Sequence, residues 1–355
     1  MKTAKEWLKE FSSIPGLTGM EKKVAQHFIE QAKPFSDQVF IDKMGNGIAV
    51  KKGQGKRSIL AAGHIDEIGM MVTKIEEGGY LKMTQVGGVD PTILPSQEVT
   101  IHTSSGQVSG VIGSKPPHFL PPKERNNPAS WETLFIDTGL SDKQVKAKIK
   151  VGDFVSFNFE FRELMSDNVS CKSIDDRYGV VVLLMTLQRL SKMKPEWDFY
   201  AVGTIQEEWS GIGANSAAYN LNPDVAVAID VTHGDIPGLK DSDTFKLGKG
   251  ITLSIGPNIH SGILKKARKV CKQEEIPYEI EVAPWGTGTD AYTIQIVKSG
   301  IPCIVISAPV RSMHSPVETI STQDIDRSAR LLANLICSLE DEDLNIDQPE
   351  EEEEE

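Results

Sequence analysis

Four short apolar runs constrain this chain more than any other feature. SILAAG (58–63), FYAVGTIQ (199–206), VAVAI (225–229) and CIVISAP (303–309) are each one strand long and apolar enough to be buried. Helical spacing marks the stretches between and after them: GVVVLLMTLQRLSKM (179–193), HSGILKKARKVCKQE (260–274) and ISTQDIDRSARLLANLICSLED (320–341). Buried strands that alternate with helices predict an α/β fold, a mixed, largely parallel sheet flanked by helices. The N-terminus adds two helical patterns, 3–12 with Trp7, Leu8 and Phe11, and 20–33 with Val24, Phe28 and Ile29. Turn-rich SSIPGLTG separates them.

Between Met70 and Leu164 the texture changes to alternating strands and turns, with a Pro-rich loop KPPHFLPPKERNN. This predicts an inserted all-β module over 69–167. Residues 1–68 and 168–339 then form one interrupted α/β domain, because neither flank alone supplies a complete sheet. A chain of 355 residues has room for both.

The formal charge of -12 is carried by the C-terminus: residues 340–355 hold 11 acidic side chains and no Lys or Arg. Residues 1–339 balance 38 basic against 39 acidic groups, which leaves no basic footprint for nucleic acid. The segment 340–355 reads as a disordered acidic tail. Four well-separated cysteines, Cys171, Cys271, Cys303 and Cys337, have no CxxC spacing, so neither a zinc ribbon nor a disulfide framework is expected. With no apolar run of membrane length, the expected setting is the cytoplasm, away from membranes.

The chemistry lies where polar residues follow the strands. His64 and Asp66 follow SILAAG, Glu207 and Glu208 follow FYAVGTIQ, Asp230 follows VAVAI, and His314 stands just past CIVISAP. In open α/β sheets the ligand crevice lies beyond the carboxyl ends of the strands, so these groups should converge. Asp175 and Asp176, in SIDDRYG before a helix, add carboxylates. Two His with several Asp and Glu, and no Cys, suit borderline or hard divalent ions such as Zn, Co or Mn. His64 and Asp66, two apart, share a face if extended, which suits a ligand and the residue that orients it. Adjacent Glu207 and Glu208 would point to opposite sides, one to ligate and one to take a proton. Each motif alone has an ordinary structural reading, as surface carboxylates, a helix cap or a packed histidine. Four placements at strand ends with complementary ligand types point instead to a two-metal site. His233 and His260 are candidates for lining the substrate cleft, whereas His27, His102 and His118 suit ordinary packing or solvent contact.

GHIDEIG, SIDDRYG, QEEWSGIGA, AIDVTHGDIPG, GTGTDAY and APVRSMHSPVE, in that order, resemble the tetrahedral (glutamyl) aminopeptidases, a family of binuclear metallopeptidases. The resemblance implies that Asp175 bridges two metal ions, Zn with Co or Mn as substitutes. His64 and Asp230 would complete one coordination shell, Glu208 and His314 the other. It further implies Glu207 as general base and Asp66 as the residue that orients His64. Thr289 and Asp290 of GTGTDAY become substrate-binding candidates. The implied inserted domain is barrel-like or PDZ-like and serves dimerisation, with dimers assembling to a homo-oligomer, often a dodecamer. The implied reaction is hydrolysis of the N-terminal peptide bond of short peptides with free N-termini. Two alternatives stand beside it: a metal-dependent deacylase of modified amino acids, and a glycosidase, since some relatives carry an endoglucanase label. The sequence departs from the family at Trp209, Ser312, Trp285 and Thr287, around the substrate pocket rather than at the ligands.

Overall fold

The computed structural model describes residues 2–123, 125–240 and 244–346. The chain opens with α1 (Ala4–Ser12) and α2 (Lys22–Ala32). Thr3 and Glu6 form a reciprocal cap at the start of α1. Trp7, Leu8, Phe11, Val24 and Phe28 are buried, as their spacing requires. A hairpin of β1 (Gln38–Ile41) and β2 (Gly47–Lys51) follows, then β3 (Ser58–His64). Its turn is held by Asp42, whose carboxylate accepts from the N–H groups of Met44, Gly45 and Asn46.

Next come β4 (Gly69–Ile75), β5 (Leu81–Val86), β6 (Glu98–Thr103), β7 (Gly106–Ser114), β8 (Leu134–Asp137) and β9 (Phe154–Phe157). They close into a six-stranded antiparallel barrel in the order β4-β5-β8-β7-β6-β9. Closure leaves no free sheet edge, and the interior is filled by Met70, Val72, Leu81, Val99, Ile101, Ile136 and Val155. Of the two expected forms, barrel-like is the one adopted. The module is not wholly β, because a short α3 (Asp142–Lys148) with a Ser141/Gln144 capping box lies between β8 and β9.

The remaining elements are β10 (Arg162–Glu163), β11 (Asn168–Cys171), α4 (Ile174–Leu190), β12 (Asp198–Thr204), α5 (Ile212–Leu221), β13 (Val225–His233) and β14 (Ile251–Ile255). They continue with α6 (Ser261–Gln273), β15 (Tyr278–Val282), α7 (Asp290–Gln295), β16 (Cys303–Val310), β17 (Glu318–Ser321) and α8 (Thr322–Ser338). Eight strands form one mixed sheet in the order β1-β2-β12-β3-β13-β16-β14-β15, and β10, β11 and β17 form a small second sheet. The central strands β12, β3, β13 and β16 run parallel, with antiparallel pairings at β1-β2, β2-β12 and β14-β16. Alternate strand residues feed two cores. Ile59, Ala61, Val227 and Ile306 pack toward α1, α2, α4, α6 and α8, and Leu60, Ala62, Ala228 and Val305 toward α5 and α7.

The helix α4 is buried almost throughout, which explains its apolar residues on every side. It lies so close to β3 that a Cβ on Gly63 would meet the Gly179 backbone at 2.9 Å, and one on Gly179 would overlap the Asp176 carboxylate. The acidic tail expected to be disordered is ordered in its first part. Asp341–Leu344 form a 3-10 turn against α6, held by Lys266–Asp343 (3.1 Å) and Arg57–Asp341 (3.0 Å). Its Leu344 gains apolar cover there, which the charge run around it conceals. Residues 347–355 lie outside the described residues. No helix among the described residues is long and apolar enough to cross a membrane.

Candidate metal centre

His64 ends β3, Asp230 lies near the carboxyl end of β13, and His314 lies in the turn between β16 and β17. Asp175 enters from the first turn of α4, where its backbone is not yet helical and the Asp175–Asp176 peptide is cis. His64 Nε2 lies 3.0 Å from Asp175 Oδ1, and His314 Nε2 lies 3.3 Å from Asp175 Oδ2. One carboxylate thus stands between two imidazoles. Glu208 Oε2 is 3.4 Å from His314 Nε2, and Glu207 Oε2 is 3.8 Å from His64 Nε2. Ligand atoms of His64, Asp175 and Asp230 lie within 4.8 Å of one another, as do those of Asp175, Glu208 and His314.

Both imidazoles are held from behind. His64 Nδ1 faces the Asp66 carbonyl at 3.2 Å and its carboxylate at 3.4 Å. His314 Nδ1 donates to the Gly88 carbonyl at 3.0 Å, in the barrel loop between β5 and β6. Hydrogen bonds at Nδ1 turn each Nε2 lone pair toward the cluster. Asp66 is itself fixed, since its carboxylate accepts from Thr18 Oγ1 (2.8 Å), Glu207 N (3.0 Å) and Glu208 N (3.2 Å). Asp176 does not join the cluster side by side with Asp175. Its carboxylate accepts from His64 N at 3.0 Å and Gly179 N at 2.8 Å, locking β3 to α4. Glu318 accepts from His314 N (2.9 Å) and Asp175 N (3.1 Å).

The electrostatics describe a buried excess of negative charge. Burial, with the charges of Asp230, Asp290 and Glu208 added and His64 opposing, pushes Glu207 up to about 10. Burial and Asp175 push Glu208 up to about 8. Burial and Asp176 hold Asp230 well above the usual carboxylate range. Hydrogen bonding to Asp175 raises His314 to about 9, while hydrogen bonds from the two histidines overcome burial and hold Asp175 low. Glu208 Oε1 is buried without a hydrogen-bond partner. Carboxylates forced together with an orphaned oxygen and two oriented imidazoles form a donor set that fits divalent cations.

A cavity of about 710 Å³ opens above the cluster and is lined in part by Asp175, Glu207, Glu208, Asp230, His314, His233 and Thr289. Glu207 stands on the His64 side of the cluster and Glu208 on the His314 side, but not on the extended chain that the sequence expectation assumed. They sit in a turn that begins at Gln206, which has φ +56°, rather than in an extended strand. Asp290 is buried beneath the site, where Thr204 Oγ1 donates to it at 2.5 Å, so it is a support and not a cavity residue. His260 lies elsewhere altogether: it caps α6, and its N–H donates to Cys303 O at the amino end of β16, opposite the site. Its position ahead of a helix is explained by capping. Of the other histidines, His27 pairs with Glu10 and His102 with Ser156. The sequence reading passed over Gly88 and Glu318. Glu318 closes the motif APVRSMHSPVE four residues beyond His314, which is its signal, and a backbone carbonyl such as that of Gly88 leaves none.

Comparison with known proteins gives a consistent result. The model of the M42 glutamyl aminopeptidase family matches residues 45–331. A lysyl aminopeptidase of Pyrococcus furiosus is 33% identical over 338 residues, covering 94% of this chain and 97% of that protein. The crystal structure of a TET aminopeptidase from a marine sediment Thaumarchaeota archaeon superposes with a TM-score of 0.92 at 33% identity, covering 96% and 98%. A Pyrococcus horikoshii TET peptidase that can assemble into a tetrahedron or a large octahedral shell does so with a TM-score of 0.84 at 31% identity, covering 95% and 100%.

Proposed function

The chain belongs to the M42 glutamyl aminopeptidase family, and from that premise we propose that it is a binuclear metallo-aminopeptidase acting on short peptides with free N-termini. The observation that carries this reading is the Asp175 carboxylate set between the Nε2 atoms of two histidines whose Nδ1 atoms are already engaged. Asp175 would be shared between two ions, with His64 and Asp230 on one side and Glu208 and His314 on the other. Divalent cations bound there, Zn or alternatively Co or Mn, supply Lewis acidity that acidifies water and polarises the scissile carbonyl.

The chain's own residues do the rest. Asp66 fixes His64 through Nδ1 and, through two backbone N–H groups, fixes the turn that carries both glutamates. Glu207, at the cavity wall, takes the water proton on its carboxylate and returns it to the leaving amine. Its high proton affinity among uncompensated carboxylates is the state that positive charge in the cluster would reverse. Two bracketing histidines have no part in a glycosidase that works with two carboxylates alone, and no feature of the cavity favours an acylated substrate over a free amine.

The same reading extends to assembly and setting. The closed barrel is proposed as a dimerisation module and the dimers as parts of a larger homo-oligomer, supported by the assembled relative of similar fold; a cytoplasmic location goes with it.

Release of free amino acids from aminoacyl chromogenic substrates tests the proposal, with chelated protein compared with protein given Zn, Co or Mn. Metal-dependent release is expected. Release from N-acetylated substrates alone would replace it with the deacylase reading. The Glu207→Gln variant should keep its metal, measured by elemental analysis, and lose about 100- to 10,000-fold in kcat.

A further inference from the structure

The proposed function leaves the N-terminal residue of the substrate open, and one cavity side chain has no part in it. Glu281, near the end of β15, lines the same cavity as Glu207, Asp230 and His314. Its carboxylate accepts from three hydroxyls: Thr232 Oγ1 at 2.6 Å, Ser254 Oγ at 3.2 Å and Thr252 Oγ1 at 3.3 Å. Strand register explains the gathering. Asp230 stands beside Ser307, Ser307 beside Thr252, and Ser254 beside Glu281, so one polar strip crosses the sheet from the metal ligand to its edge strand.

No Lys, Arg or His forms an ion pair with Glu281 among the described residues. No Lys or Arg stands among the described residues that line the cavity. A carboxylate has about four acceptor sites, so three hydroxyls leave room for one more donor. Thr232, which touches Glu281, lies two residues beyond Asp230 on β13. That is about 6.6 Å of strand, a span that the four-carbon stem of an extended lysine covers.

We propose that Glu281 is a specificity-determining residue that selects substrates whose N-terminal residue bears a cationic side chain, lysine or arginine. An acidic side chain would meet like charge there, and an apolar one would strip water from the carboxylate without replacing it. The proposal rests on the aminopeptidase reading.

The test uses the full, zinc- or cobalt-loaded chain and compares kcat/KM for Lys, Arg, Leu and Glu p-nitroanilides. The wild type should prefer Lys and Arg. Glu281→Gln, which keeps an acceptor for the hydroxyls but removes the charge, should lower the Lys:Leu ratio about tenfold or more. Glu281→Asp, which keeps the charge, should retain a cationic preference, and free lysine should inhibit the wild type more strongly than free leucine. An unchanged Lys:Leu ratio in Glu281→Gln, or equal losses on all four substrates in both variants, overturns the inference and leaves the aminopeptidase standing. If the wild type releases nothing from any of the four, the aminopeptidase reading itself falls, and the inference with it.

Discussion

Glu67 is buried with Lys172 and Arg177, accepting from Lys172 Nζ and from Gly16 N at 2.8 Å, with Arg177 4.0 Å away. Against the effect of burial, the two cations hold its carboxyl below the usual range. Glu67→Gln leaves two buried cations without their counter-charge and should cost about 3–5 kcal/mol in denaturant unfolding. The sign of the pH dependence follows from the lowered value. The wild-type advantage is present above the unfolded glutamate value of about 4.3 and fades as pH falls through the native one, so unfolding curves of both proteins should converge in acid. The thiols make a second prediction at this scale. Burial pushes Cys171, Cys271 and Cys303 up to about 12, so in the native protein at pH 8 iodoacetamide should leave them unmodified. Half-buried Cys337 should react first and all four after denaturation, counted by mass spectrometry.

Among the elements, α4 does most to place the site, because its first turn presents Asp175 and fastens β3 through Asp176. Gly179→Ala would drive a methyl group into the Asp176 carboxylate. It should destabilise the protein by about 1–3 kcal/mol in denaturant unfolding and weaken metal binding when Zn is titrated into chelated protein, whereas an unaltered metal affinity would separate the turn from the site. The elements differ in how openly the sequence declares them. Strands β3, β12, β13 and β16 are apolar on both faces and stand out as runs, and α8 keeps a clear helical period. Strands β14 and β15 do not, because Thr252, Ser254, Glu279 and Glu281 break their apolar pattern. The short helices α5 and α7 are too brief for periodicity to show. The candidate ligands His64, Glu208, Asp230 and His314 were legible because each closes or follows an apolar run, and Asp175 only by its place in SIDDRYG ahead of a helix, while the turn that aims Glu207 and Glu208 depends on a positive φ at Gln206 that its residue type does not announce.

For the whole molecule, the buried excess of carboxylates costs stability that a bound cation would return. Adding Zn to chelated protein should raise the unfolding free energy by about 2.7 kcal/mol at a hundredfold excess over Kd, read as a higher Tm. No shift would mean that the native cluster does not bind the ion. Light scattering should return a multiple of the 38.9 kDa chain mass if the barrel serves assembly. The hydrogen bond from His314 Nδ1 to the Gly88 carbonyl ties these two properties together. That carbonyl belongs to the barrel, while His314 belongs to the sheet domain. If the cluster binds a cation as proposed, its occupancy and the seating of one module on the other are thermodynamically linked, and linkage is reciprocal. Whatever tightens the barrel's grip on the sheet domain, including neighbours in an assembly, tightens the hold on the ion by the same factor, so a lone subunit should surrender its metal to a chelator sooner than an assembled one.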